Sequence, residues 1–177
     1  LSRRDDLIVS LGGGVVTDLT GFAASIYKRG IPIIHVPTSL IGQIDAALGG
    51  KTGIDYAGSK NMLGSFYPPR RVIVDPLFLQ TLPKRELQSG LSELLTYGLI
   101  GNDSLWGQLA KSIRRLLRGL DPGYEVLVRD AVREKLRYTD ADEFERTTGA
   151  RELLNFGHTF GHAFESATNF TTLLHGE

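Results

Sequence analysis

The stretch LIVSLGGGVVTDLTGFAASIYKRG, residues 7–30, decides the fold. Leu7–Ser10 is a short apolar run that enters Gly12-Gly13-Gly14. Val15, Leu19, Phe22, Ala23 and Ile26 then recur at helical spacing, so the spacing predicts a helix over 15–27. Strand, glycine turn, helix is a geometry that binds phosphate. Glycines let the backbone approach an anion, and the helix start offers free N–H groups and a partial positive charge. Three glycines without the G-x-G-x-x-G spacing also make a plain tight turn. Asp18 in the first turn fits simple pairing with the helix dipole.

Moving outward, Ile33–Val36 predicts a second strand, ended by Pro37-Thr38-Ser39. Residues 40–48 predict a short helix, and residues 49–70, rich in Gly, Lys, Asn and Pro, a long ordered loop. Arg71–Asp75 predicts a third strand. Strands that alternate with helices imply a parallel sheet. After Pro83 the pattern becomes helical, with helices expected over 84–100, 103–118, 122–138 and 151–168 and no strand. The expected fold class is therefore α/β, a parallel-sheet nucleotide-binding part followed by an all-helical metal-binding part. The expected units are 1–80 and 81–177. A lone parallel strand at the start needs neighbours, and the chain stops just after a helix. Both ends therefore read as cuts in a longer protein.

Bulk composition narrows the classes. Lys plus Arg and Asp plus Glu both number 20, so nothing marks a nucleic-acid or membrane-surface binder. The chain has no cysteine, which excludes disulfides, thiolate metal sites and cysteine nucleophiles and fits a cytoplasmic protein. No apolar run approaches the roughly 18 residues of a membrane span.

Three of the four histidines fall in the last 20 residues: His158, His162 and His175. His158 and His162 are i, i+4 and share a helix face. Gly157 and Gly161 precede them at the same spacing and thin the helix there. Histidines with a carboxylate form the ligand set of a catalytic zinc ion. Glu93 is the chosen carboxylate, because it lies on an apolar face with Leu87, Leu91 and Leu94, where an unpaired charge is costly. Spacing leaves open which two histidines would bind.

Five stretches together resemble the 3-dehydroquinate synthase family: 12–30, VPTSLIGQIDAALGGKTGID (36–55), GSKNMLGSFYPP (58–69), TLPKRELQSGLSE (81–93) and LLNFGHTFGHAFE (153–165), with a closing LLHGE (173–177). The resemblance covers nearly the whole chain and is thin only over 102–148. It implies cyclisation of 3-deoxy-arabino-heptulosonate 7-phosphate to 3-dehydroquinate with loss of phosphate, a shikimate-pathway step. The chemistry it implies is a transient oxidation by tightly held NAD⁺, whose hydride is later returned. It implies a divalent metal, zinc or cobalt, on Glu93, His158 and His175. Gly13, Gly14, Asp18, Thr38, Ser39, Thr81, Leu82 and Glu86 would line the NAD site. Asp45, Lys51, Asn61, Arg151, Asn155 and His162 would surround the phosphorylated sugar acid. Lys60 belongs beside both.

The sequence departs from the family at three places. Thr96 stands where Lys is usual, one helix turn from Glu93, and Thr17 stands where Gly is usual. The cation that normally precedes Arg151 could be Lys135 or Arg137. The loss of the Lys at 96 favours a second expectation, another sugar-phosphate cyclase with a different substrate. A metal-dependent polyol dehydrogenase of related fold and a non-catalytic homologue are further alternatives. Arg29, at the helix end far from the glycine turn, carries an anion-binding role in the family. A homodimer in which it reaches the neighbouring site reconciles the two.

Overall fold

A computed structural model describes residues 6–118, 123–146, 149, 151–168 and 172–177. The first strand, β1 (Ile8–Gly12), runs two residues further than expected and carries the chain into the turn. Helix α1 (Gly14–Ile26) follows, then a 3-10 turn over Tyr27–Arg29 and strand β2 (Ile33–Pro37). β1 and β2 pair in parallel from Ile8 opposite Ile33 to Gly12 opposite Pro37. The expected third strand is only β5 (Arg71–Val72), parallel to β2, so the sheet order is β1-β2-β5. Among the described residues β1 forms one edge, and its Val9 and Leu11 are exposed.

The expected helix over 40–48 is wider than an α-helix: residues 42–46 form a π turn. Such turns often mark functional sites. Gln43 pins it by donating from Nε2 to the carbonyls of Pro37 at 3.2 Å and Asp75 at 2.7 Å. The expected loop over 49–70 is instead an antiparallel hairpin, β3 (Lys51–Tyr56) and β4 (Ser59–Phe66). Its turn is Ala57-Gly58, both with positive φ, the twist that two-residue hairpins need. Most of β4 is exposed, so it buries no apolar face and shows no alternation that would reveal a strand. Ser65 Oγ ties the hairpin to α1 through Ser25 Oγ at 2.8 Å.

The second half is helical: α2 (Lys84–Leu99), α3 (Asp103–Leu116), α4 (Gly123–Ala141) and α5 (His158–Ala167). The expected start of the third helix at Pro122 lies outside the described residues. The expected helix over 151–168 is two pieces. Arg151–Asn155 is a 3-10 turn, and Gly157 at φ 86° reverses the chain before α5. Only glycine takes that conformation readily. His158 therefore begins a helix rather than lying inside one.

The main core is helical. Leu87, Leu91, Leu94 and Tyr97 of α2 pack with Leu105 and Leu109 of α3 and with Leu127, Val128 and Ala131 of α4. Leu40 and Ile44 of the π-turn segment and Leu79 join the same cluster, so it crosses residue 80. Each buried leucine contributes about 1.5–3 kcal/mol of transfer free energy. This packing fixes Glu93 and Asp45 against each other's elements. No helix among the described residues is long and apolar enough to cross a membrane.

Candidate active site

Glu93 sits on α2 and is only 4% exposed; it is in line with buried Ser89 and Tyr97, one turn to either side, and not on the stripe of Leu87, Leu91 and Leu94 as expected. Its Oε1 lies 3.2 Å from His175 Nε2 and 3.8 Å from His158 Nε2. Among the described residues its ion-pair partners are histidines alone. His158, His162 and His175 each offer a ring nitrogen within 4.8 Å of the others. The ring centroids of His158 and His175 are 4.9 Å apart, and His162 is 5.4 Å and 5.5 Å from them. A buried carboxylate beneath three converging imidazoles fits a divalent cation, since an unpaired buried charge is costly. Two ligand triads are geometrically open, Glu93 with His158 and His175, or the three histidines.

His175 stands on a segment without regular structure. Gly176 N–H donates to Ser89 Oγ at 3.0 Å, and Arg85 pairs with Glu177 at 2.5 Å, which brings this tail to α2. The hydrogen bond to Glu93, and the Glu93 and Glu165 charges, raise the His175 pKa against the effect of burial. Burial, then the neighbouring His175 and His158, lower that of His162.

The histidines open on a cleft of about 590 Å³ between the hairpin and the helices. Asp45, Lys51, Asn61, Arg151, Asn155 and His162, the expected substrate set, all line it. Lys60 and Glu93 do not: Glu93 lies beneath the histidines, and Lys60 pairs with Glu165. Lys135 lines the cleft and pairs with Asp45, whereas Arg137 is exposed and pairs with Glu134. Position 135 is thus the cation at the cleft. Burial alone would raise the Asp45 carboxyl, but Lys135 and a 3.0 Å hydrogen bond from the buried Tyr97 hydroxyl hold it below its usual range.

Arg151 is both cleft-lining and structural. Its Nη1 donates to the carbonyls of Asp142 at 3.1 Å and Glu143 at 2.6 Å, and its Nη2 to that of Gly49 at 3.0 Å. Lys51 pairs with Glu145 at 2.5 Å, and Asn155 reaches the same carboxylate at 3.5 Å.

At the sheet end, no side chain caps the start of α1. A Cβ on Gly13 would lie 3.3 Å from Ser39 Oγ, and one on Gly14 3.1 Å from Ala46 Cβ, so both glycines keep the turn thin. Thr38 N–H donates to Gly12 O at 2.8 Å and sets β2's end beside the turn. Gly13, Gly14, Thr38 and Ser39 therefore form one cradle with bare backbone, which fits a phosphate. Thr81, which ends the 3-10 turn Pro76–Thr81, Leu82 just after it, and Glu86 in the first turn of α2 make no hydrogen bond to this cradle among the described residues.

Asp18 points into the cleft near Asp45. Burial, then Asp45 and Asp55, raise its pKa from 3.8 to about 7. The protonated form is thus favoured by folding. That contribution is intact below pH 3.8 and is lost as pH rises to about 7. In the nucleotide-free protein, Asp18→Asn should gain melting temperature over the parent progressively between pH 4 and 7, then level off. After allowing for partial exposure the gain is on the order of 2 kcal/mol. A melting difference that does not change with pH would refute it.

Sequence reading missed Glu165, Tyr97 and the Asp45–Lys135 pair. The spacing His158, His162, Glu165 places all three on one face of α5 and was the available signal for the first.

An α/β sheet ending in a bare glycine cradle, beside a cleft walled by histidines over a buried carboxylate, defines an α/β protein with a nucleotide-type turn and a candidate metal centre. The family models for the 3-dehydroquinate synthase N-terminal and C-terminal domains match residues 1–89 and 90–177, and the chain belongs to that family. It is 48% identical to the 3-dehydroquinate synthase of Dichelobacter nodosus over 98% of its length, and 46% identical to that of Sulfurisphaera tokodaii over 95%. It spans 47% of the length of each of these relatives. Among solved structures it is similar to 2-epi-5-epi-valiolone synthase from Streptomyces hygroscopicus with NAD⁺ and Zn²⁺ bound, with TM-score 0.92 and 36% identity over 99% of this chain and 49% of that one. It is also similar to 2-deoxy-scyllo-inosose synthase complexed with carbaglucose-6-phosphate, NAD⁺ and Co²⁺, with TM-score 0.82 and 29% identity over 99% of this chain and 47% of that one.

Proposed function

We propose that this chain is the catalytic middle of a 3-dehydroquinate synthase, an NAD- and divalent-metal-dependent cyclase that eliminates phosphate from 3-deoxy-arabino-heptulosonate 7-phosphate. The observation that carries this reading is the cluster of His158, His162 and His175 over buried Glu93, opening on a cleft lined by every expected substrate residue except Lys60. Residues 1–80 would supply part of the nucleotide-binding unit and 81–177 part of the metal-binding unit. Glu93, His158 and His175 would hold the metal, which when bound acts as a Lewis acid on the hydroxyl being oxidised. Gly13, Gly14, Thr38 and Ser39 would take the NAD phosphates, with Asp18, Thr81, Leu82 and Glu86 around the rest of the cofactor. Lys51, Lys135 and Arg151 would orient the doubly anionic substrate, because cations with fixed partners bind anions without large rearrangement. Asp45, held ionised, would fix the Lys135 ammonium in place at the cleft. His162, whose pKa is depressed, stays neutral near pH 7, so a ring nitrogen can accept a proton from the substrate and return it. The whole protein should release equimolar phosphate and 3-dehydroquinate with no net NADH. Steady NADH release would instead mark a dehydrogenase.

Thr96 favours a second reading, a sugar-phosphate cyclase with another substrate. It is half-buried one turn beyond Glu93. A lost charged hydrogen bond costs about 1.5–3 kcal/mol. Thr96→Lys should then raise kcat/KM on the heptulosonate phosphate by about tenfold or more. A flat or lower value, with turnover of a different phosphosugar, would favour the second reading.

Arg29 is exposed at the end of α1 opposite the glycine cradle, with φ 68°. We infer that it serves the neighbouring site of a homodimer. Mixed dimers of Arg29→Ala and His158→Ala subunits should recover about half the activity, since one site then carries neither lesion. No recovery would rule this out.

A further inference from the structure

A metal-binding histidine needs its ring held, and His175 has no helix or strand to hold it. Its Nε2 faces Glu93 at 3.2 Å, while its Nδ1 lies 3.1 Å from Glu165 Oε1. Glu165 is 2% exposed on α5, seven residues after His158 and three after His162. Its other oxygen receives the Lys60 ammonium at 2.6 Å from β4, 105 residues away in sequence. A carboxylate that accepts from Nδ1–H leaves the Nε2 lone pair free for an ion held between it and Glu93, and fixes the ring plane.

We propose that Glu165 is a positioning residue of the metal centre: buried on α5 and held by Lys60 of the hairpin, it accepts the Nδ1–H of His175 and aims Nε2 at the ion. The proposal rests on the metal reading above, and it makes the hairpin part of the metal site. Lys60, expected beside cofactor and substrate, would then link their binding to the geometry of His175.

The test is metal affinity of the whole protein, read by titrating the metal-free form with Co²⁺ alone against a chelator and following visible absorption. Glu165→Ala should raise the Kd about 10- to 100-fold. Glu165→Gln, whose amide oxygen still accepts Nδ1–H without the charge, should raise it about threefold to tenfold and leave the metal-free melting temperature near the parent's. A merely structural carboxylate would lower melting and spare the Kd. Kd values for both variants within about twofold of the parent's would overturn the proposal, and if the alanine variant does not fold the glutamine variant decides alone. A parent protein that binds no Co²⁺ would overturn the metal reading itself, and this inference with it.

Discussion

His158→Ala in the whole protein is expected to lose the bound metal and at least about a thousandfold of activity. Its Nε2 lies 3.8 Å from Glu93 Oε1 and shares the cluster with His175. A Lewis acid that polarises the reacting oxygen supplies several kcal/mol, and each 1.36 kcal/mol is tenfold in rate. The geometry separates two ligand sets, and two further variants choose between them. If Glu93 is a ligand, Glu93→Gln releases the metal and His162→Ala keeps it while slowing proton transfer. If the three histidines hold the ion, the result reverses. Metal content by elemental analysis reads this directly, independent of activity. Retention of full metal by His158→Ala would sink both sets, since His158 belongs to each.

Arg151→Ala should unfold the protein more easily by about 3–5 kcal/mol, a fall in melting temperature on the order of 10 °C for a chain of this size. Arg151 is 2% exposed, and its guanidinium bonds three carbonyls from two separate segments, Asp142 with Glu143 and Gly49. It also lies over the Phe66 ring at 5.8 Å, against the hairpin. Removing it leaves those carbonyls without their charged donor and opens a void between the loop, the hairpin and α4. Lysine has one nitrogen and cannot span three carbonyls, so Arg151→Lys should recover less than half of the loss. The arrangement also explains how a residue expected to meet substrate could be so buried, since only its cleft-facing edge needs to reach an anion. Differential scanning calorimetry checks the effect. A melting temperature within about 2 °C of the parent's would mean that Arg151 serves the substrate alone.

The parallel order of β1 and β2, the glycine turn and the helical second half were readable from periodicity, because each follows from local spacing. So were most residues of the cleft, through the five stretches that resemble the family. The hairpin was not readable. β4 is nearly all exposed and β3 buries only Thr52 and Gly53, neither an apolar side chain, so neither the period-2 signal nor an apolar run marks it, and backbone pairing with the turn at Ala57-Gly58 makes it. The break before α5 was equally hidden: a glycine inside a helical pattern can be tolerated or can leave the helix, and the spacing alone does not say that Gly157 takes φ 86°.

Local sequence placed two histidines on one helix face and one carboxylate on another, but not at one point in space. That step needed α2, α5 and the tail to meet, through Arg85 with Glu177 and Gly176 with Ser89. The choice of Lys135 over Arg137 had the same origin. Both precede Arg151 at workable spacing, yet they are two residues apart on α4 and so face nearly opposite ways. Packing of α4 against the π-turn segment turns Lys135 toward Asp45 and leaves Arg137 in solvent. Glu165 shows the limit most clearly. Its spacing from His158 and His162 was in the chain, but its two partners, Lys60 and His175, come from a hairpin and a tail that no local rule brings together.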